Sequence, residues 1–430
     1  MELKEAARYS VAALSASGFQ KAHCAAQQTE RLELIAENGC LSGVRASTQT
    51  LMRLTGIFDQ KKGEVAISAV NPASLNEAAE DARRIANGAK PDPAHSIAEY
   101  QPPQEFSGGA ESPDREVMRA RLTDFLAYCA AAHPDVALHE ARLDFTAARV
   151  IVQNSSGVDL SAFQGCYHFS SVFGAKDEHL GLARIRAGFS ARHLDRELRE
   201  CGAIDRLLLA AGTQTAAAPL PEKFVGEVIV TPDCLGALMA FLTDHLRDLP
   251  MISKTSCLKD ALRTAIASPK FSLHARPVAE EIAEGYFLTQ DGYVAQNSTI
   301  IGGGTLNGFL LSLYGSRKTQ RPRALNDGGA FVVDAGGTPV ESMLGSVRRG
   351  ILVGQFSGGF SNLDGDFSGM ASHCFYLENG EIRHPVRNVM MSGNLLEFMR
   401  NIRYISRERT DFGHAIFPYL QVKDVTLSAQ

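Results

Sequence analysis

The chain has no C-x-x-C pair, no excess of positive charge and no apolar run near the ~20 residues that span a bilayer. Each absence excludes a class of protein. The eight cysteines, at 24, 40, 129, 166, 201, 234, 257 and 374, follow no regular spacing. That distribution fits reduced thiols better than a disulfide framework or a zinc knuckle. The opening MELKEAARYS lacks the apolar stretch of a secretory signal. A formal net charge of −5 offers no electrostatic case for a nucleic-acid partner, and the basic run at 315–318 reads as a solvated loop. No G-x-x-x-x-G-K-[ST] is present, and Gly302, Gly303, Gly304 and Gly308 lack dinucleotide-binding spacing. No serine sits in a G-x-S-x-G elbow. His139-Glu140 continues as Ala-Arg-Leu, and His193 and Glu197 belong to a charged helical face, so neither pair makes a zinc motif. The expectation is a cytoplasmic protein with neither a membrane nor a nucleic-acid partner.

What is present is ordinary for a globular protein: 430 residues, 45% hydrophobic and 21% charged, enough for two or three domains. Periodicity predicts a helix over 3–17, strands over 27–36, 41–47, 51–58 and 64–70, and a helix over 74–89 capped by Ser74. Asn38-Gly39 and Lys62-Gly63 supply the turn chemistry. Residues 1–90 thus read as an N-terminal α+β region. Residues 90–113, rich in Pro, Gly, Ser and acidic side chains, read as an exposed connection. A central α+β region, 114–212, continues the N-terminal domain. Its predicted elements are a helix over 114–132, strands over 137–145, 148–153, 167–173 and 182–189, a turn from Asn154 to Gly157, and a charged helix over 191–212. From 222 to 430 the chain is β-rich and glycine-rich, with a buried strand over 228–230, a helix from Pro232 to about 246 and strands over 300–304, 331–333 and 350–356. The fold class is α+β: a helix-plus-curved-sheet domain followed by a sandwich- or barrel-like β domain.

The most informative stretch runs from Gln355 to Glu397. Small and polar residues cluster at its start, then Glu378-Asn379-Gly380-Glu381 forms a tight hairpin signal, and an apolar helix starts at Leu395. The order D-G-D-F-S from Asp364, E-N-G-E-I from Glu378, P-V at Pro385, and S-G-N-x-x-E from Ser392 closely resembles the C-terminal signature of the TldD/TldE (PmbA) family. The resemblance covers essentially the whole chain and is clearest from 226 to 427. It implies an intracellular peptide-processing protein, in a family where one paralogue carries a zinc metallopeptidase site and the other does not. Older family naming as a modulator of DNA gyrase points to a further, non-enzymatic role.

In the active TldD type, a helix after a buried strand carries H-E-x-x-x-H, and a cysteine near the C-terminus completes the site. Two imidazoles and a thiolate would hold the metal, leaving one position for water, and the glutamate would take that water's proton. By resemblance the matching positions here are Ala240, Phe241 and His245, and the C-terminal stretch has His414 but no cysteine. The resemblance therefore implies a TldE/PmbA-type subunit with no metal ligands and no catalytic residues of its own. Zinc is expected in a TldD-type partner, the two chains forming a dimer around extended, unfolded or leader peptides. Ser357, Gly358, Gly359, Phe360, Ser361 and Asn362 are the candidate substrate-binding residues, because glycines let another backbone approach a strand edge. A glycine-rich hairpin with no ligand fits the same six residues equally well. Asp364 and Asp366 read as turn-capping residues rather than an acid–base pair. Two alternatives stay open. One is an autonomous self-associating hydrolase with a residual site around His245, His373 or Cys374; the other is a non-enzymatic modulator or binding protein.

Overall fold

The computed structural model describes residues 1–176, 184–213, 217–220, 222–358, 364–387 and 389–429. Two sheets organise them. The first contains β1 (Lys21–Glu37), β2 (Cys40–Phe58), β3 (Lys61–Ile67), β4 (Gln104–Gly108), β5 (Val136–Asn154), β6 (Asp159–Ala175) and β7 (Ile185–Ala191). Its order is β3-β2-β1-β5-β6-β4, with β7 also on β6. Helices α1 (Leu3–Ala16) and α2 (Pro72–Gly88) cover one end, while α3 (Arg115–Ala132) and α4 (Ile204–Thr213) cover the other.

The small residues of α2 explain its seating. Ala78, Ala79, Ala82 and Ala86 line the buried face, and Asn71 caps the helix by accepting from the Ser74 amide at 3.0 Å. So little separates α2 from β3 that a Cβ on Gly63 would lie 1.9 Å from the Ala82 carbonyl oxygen. This corrects two expectations: Asn71, not Ser74, is the cap, and Gly63 is a close-packing residue inside a strand. The β2–β3 turn falls instead at Asp59 and Gln60, both with positive φ. Asn38 and Gly39 do make the β1–β2 turn.

Sheet pairing lengthens the strands well beyond their hydrophobic runs. The pairs read as 41–47 and 51–58, and as 137–145 and 148–153, are single strands, β2 and β5. The charged helix expected over 191–212 is broken into a short 3-10 turn (Leu198–Glu200) and α4. Gly202, at φ +57, separates them. The connection 90–113 is not loose either: β4 pairs parallel to β6, and Ala94, Ile97 and Ala98 are buried.

The second sheet begins with β8 (Ala218–Pro219) and β9 (Phe224–Val230), followed by α5 (Pro232–Asp244) and α6 (Asp248–Ile252). Next come β10 (Leu273–Ala275), β11 (Ser298–Gly302), β12 (Thr305–Leu306), α7 (Leu313–Thr319), β13 (Phe331–Val333), α8 (Val340–Gly345) and β14 (Arg349–Val353). The signature stretch forms β15 (Gln355–Ser357), β16 (Asp366–Ser372), β17 (Cys374–Glu378), β18 (Glu381–Arg387), β19 (Val389–Asn394) and α9 (Leu395–Arg400). The chain closes with β20 (Ile402–Asp411) and β21 (Ile416–Ala429). Among the described residues these strands make one 14-stranded network, and β9 is central, parallel to β14 and antiparallel to β21. The α+β class is as expected, and one continuous core runs through both sheets. Between β17 and β18, Asn379 and Gly380 adopt positive φ, the hairpin turn read from E-N-G-E. Ser392, Gly393 and Asn394 of the signature form the end of β19, paired with β16.

Candidate functional site

The strand–helix unit β9–α5 holds the positions that the family resemblance singles out. Pro232 opens α5, where its missing N–H costs nothing. Thr231 anchors the junction, its hydroxyl donating to the Val353 carbonyl at 3.1 Å. Cys234, Leu235, Leu238, Met239 and Leu242 form the buried face of the helix. Ala240 is exposed, and Phe241 packs against the core with its ring edge toward His245, centroids 6.0 Å apart. His245 caps the helix C-terminus. Burial lowers its basicity, opposed by the neighbouring Asp244 carboxylate. Two of the three matched positions thus carry hydrocarbon side chains with no lone pair to offer a metal. Among the described residues no three His, Cys, Asp or Glu side chains converge as a metal-binding group. His414 is exposed beside Phe412.

Beside α5 runs β15. It pairs antiparallel with β16, Ser357 opposite Met370, and no strand among the described residues pairs with its other side. Gln355, Ser357 and Gly358 are exposed, and Gly358 takes a left-handed φ of +95. Phe356 turns inward and meets Phe367 edge-on at 5.9 Å. Gly369 makes room for that ring, since a Cβ there would sit 2.5 Å from it. Of the six candidate substrate-binding residues, Ser357 and Gly358 therefore lie at the end of an exposed strand. Gly359, Phe360, Ser361 and Asn362 lie outside the described residues.

Asp364 and Asp366 are organised by Asn394. Its amide donates to the Asp364 carbonyl at 2.9 Å and to the Asp366 carboxylate at 3.0 Å, and its oxygen caps α9. That is the turn-and-cap role expected of D-G-D. His373 sits where the chain leaves the β16 ladder for the β17 ladder, with φ +52, close against Gly354. Its imidazole is buried, and neither ring nitrogen has a hydrogen-bond partner among the described residues. Burial lowers its basicity, with Asp233 acting in the opposite sense. Cys374 is fully buried, which pushes its thiol up to about 12 and leaves no thiolate for nucleophilic attack.

The fold also brings together groups that no sequence spacing announces. Thr146 Oγ1 lies 2.9 Å from His168 Nε2, and His168 Nδ1 lies 3.1 Å from Ser190 Oγ and 3.4 Å from the Glu284 carboxylate. Ser190 donates to Glu284 at 2.5 Å. Burial works to raise Glu284, but the His168 and Ser190 hydrogen bonds prevail and hold it at about 2. The chain of groups ties the first sheet to the segment after β10. Nearby, Gln164 donates to the Ala283 carbonyl at 3.1 Å, and Phe106 stacks on Phe287 at 5.4 Å. A cavity of about 340 Å³ opens beside Thr146, His168 and Glu284.

An α+β protein with a strand–helix unit under a glycine-rich edge is the class that this geometry defines. Residues 224–429 match the PmbA/TldA metallopeptidase C-terminal domain, so this chain carries a domain of the PmbA/TldD family. It is 22% identical to the metalloprotease PmbA of Escherichia coli O157:H7, covering 93% of this chain and 92% of that one. It is 23% identical to the PmbA homologue of Haemophilus influenzae, covering 93% and 90%. TldE from Thermococcus kodakarensis superposes with a TM-score of 0.84 at 18% identity, covering 99% of this chain and all of that one. A Bacteroides thetaiotaomicron protein named for modulation of DNA gyrase gives 0.83 at 17%, covering 99% of each. At such identities the structural likenesses establish the fold. No helix among the described residues is long and apolar enough to cross a membrane.

Proposed function

We propose that this chain is the TldE/PmbA-like subunit of a cytoplasmic TldD/TldE-type metallopeptidase complex, holds no zinc of its own, and helps to process unfolded or leader peptides. The observation that carries the reading is α5, where Ala240 and Phe241 occupy the positions that the family resemblance matches to a metal ligand and the general base. A single imidazole at His245 does not replace the three protein ligands that a catalytic zinc requires. A TldD-type partner then supplies the metal, and this chain supplies a wall of the peptide chamber. The exposed β15 supports that role. An extended peptide pairs with a strand edge through main-chain hydrogen bonds, which tolerate varied sequences, and Gly358 lets the second backbone come close. The autonomous-hydrolase alternative lacks a nucleophile at Cys374, whose thiol is buried and protonated.

The test is metal content of the purified chain, with peptidase activity on an unfolded peptide measured alone and with a TldD-type partner. Activity only in the mixture, with no bound zinc on this chain, is the expected result. Stoichiometric zinc and activity from the chain alone would overturn it.

A further inference from the structure

Between the first sheet and the loops of the second lies a cavity of about 490 Å³, within the size range of small-ligand sites. Its two walls differ in sign. From β2 and β3 come Arg53, Lys62 and Glu64, and the one carboxylate serves both cations, at 3.6 Å and 2.8 Å. That wall keeps an uncompensated positive charge. The opposite wall presents Asp248, Asp291 and Asp327, with Arg247 beside them and Arg323 behind, 3.8 Å from the Asp291 carboxylate.

Two of those carboxylates hold the wall together. Asp248 accepts from the Ser312 amide at 2.9 Å, and Asp291 accepts from the Leu313 amide and the Thr289 hydroxyl, both at 2.7 Å. Asp327 differs. It accepts one backbone N–H, from Gln290 at 2.8 Å, and among the described residues no cation stands within ion-pair distance. Arg247 is turned to the Asp244 carboxylate and the Asp327 backbone carbonyl, each at 3.4 Å. Burial, reinforced by Asp291, pushes Asp327 up to about 6.

His23 lines the same cavity from β1, only 8% exposed, and its Nδ1 has no hydrogen-bond partner among the described residues. A buried polar atom left without a partner is costly, and such groups gather where a ligand or water completes them. Gly292 lets the loop close over the ring: a Cβ there would lie 3.0 Å from His23 Cε1.

We propose that this cavity is a binding site for a small zwitterion, a free amino acid or a dipeptide, with its ammonium on Asp327 and its carboxylate on Arg53 and Lys62. The separation of unlike walls selects a ligand that carries both charges, and a charge-assisted hydrogen bond at each end supplies the discrimination. The inference concerns the chain alone. Its failure leaves the reading of α5 and the peptidase partner untouched, and the reverse also holds.

Calorimetric titration of the full chain with alanyl-alanine tests it, beside N-acetyl-alanyl-alanine, which lacks the ammonium, and alanyl-alanine amide, which lacks the carboxylate. Alanyl-alanine is expected to bind more tightly than about 1 mM, and each blocked form about tenfold more weakly. Asp327→Asn is expected to weaken alanyl-alanine about tenfold and to erase its advantage over the acetylated form. Arg53→Gln, on a side chain 47% exposed, is expected to reduce the advantage over the amide, Lys62 retaining part of it. Absence of binding, equal binding of all three compounds, or unchanged affinity in both variants would each overturn the proposal.

Discussion

The α5–β15 region and the cavity between the sheets make opposite use of their polar atoms. Around α5 the buried face is aliphatic and sulfur side chains apart from Thr243, whose hydroxyl donates to the Met239 carbonyl at 2.8 Å, and the positions matched to catalysis are an alanine and a phenylalanine. In the cavity, carboxylates, cations and a buried imidazole face one another, and the imidazole Nδ1 has no partner among the described residues. A helix without chemistry is free to be optimised for packing, whereas a charged cavity costs stability and persists where something is bound. The family signature marks the first place, and facing walls of unlike charge mark the second.

That contrast is open to measurement, starting with the packed region. Leu235, fully buried in α5, is expected to cost about 3 kcal/mol on Leu235→Ala, read by urea denaturation. A loss below 1 kcal/mol would mean that α5 is not the packed element described here.

The next effect belongs to the cavity. Burial drives His23 down to about 4 from its ordinary 6.5, so the folded state favours the neutral ring. Its contribution to stability is complete above pH 6.5 and drains away as the pH falls toward 4, by up to about 3 kcal/mol. His23→Gln is expected to flatten that part of the stability profile. An unchanged profile would remove His23 from the account.

Asp327 works in the other direction. Its pKa is raised in the fold, so the ionised form is disfavoured and stability falls as the pH rises from about 4 through about 6. Asp327→Asn, which keeps an acceptor for the Gln290 amide, is expected to gain about 1 kcal/mol at pH 7 while weakening zwitterion binding. A destabilised variant would show that the carboxylate is structural.

The smallest effect is expected at Glu284. Held at about 2, it supports the fold above pH 4.5 and loses that support as the pH falls toward 2. With 47% of its side chain exposed, solvent screening limits Glu284→Gln to about 1 kcal/mol or less, measured at pH 7 against pH 3. A difference that grows on acidification would have the wrong sign.

Local chemistry was legible where it was self-sufficient. Asn379-Gly380 turns the β17–β18 hairpin and Pro232 starts α5, each through the conformational preference of the residue itself. Reading stopped where the partner was distant. Residues 41–58 look like two strands because their middle is polar, but pairing with β1 along the full length makes them one. The segment 191–212 carries helical charge spacing, and Gly202 breaks it where it packs against Phe189. Gly63 passes for a turn residue until α2 is seen lying on it.

The functional readings divide along the same line. Amino-acid order alone determined the family resemblance, the α+β class and the absence of an H-E-x-x-x-H sequence on the helix after β9, because motifs are properties of residue identity. Only the tertiary structure decided that β15 lies beside α5 with one side unpaired among the described residues, and that His373 is buried at a switch between ladders. It alone placed His23, Arg53, Lys62 and Asp327 around one space, although Lys62 and Asp327 stand 265 positions apart in the chain. Sequence encodes each group's charge and size. Which charges face each other, and how much water remains between them, is set by how the two sheets pack.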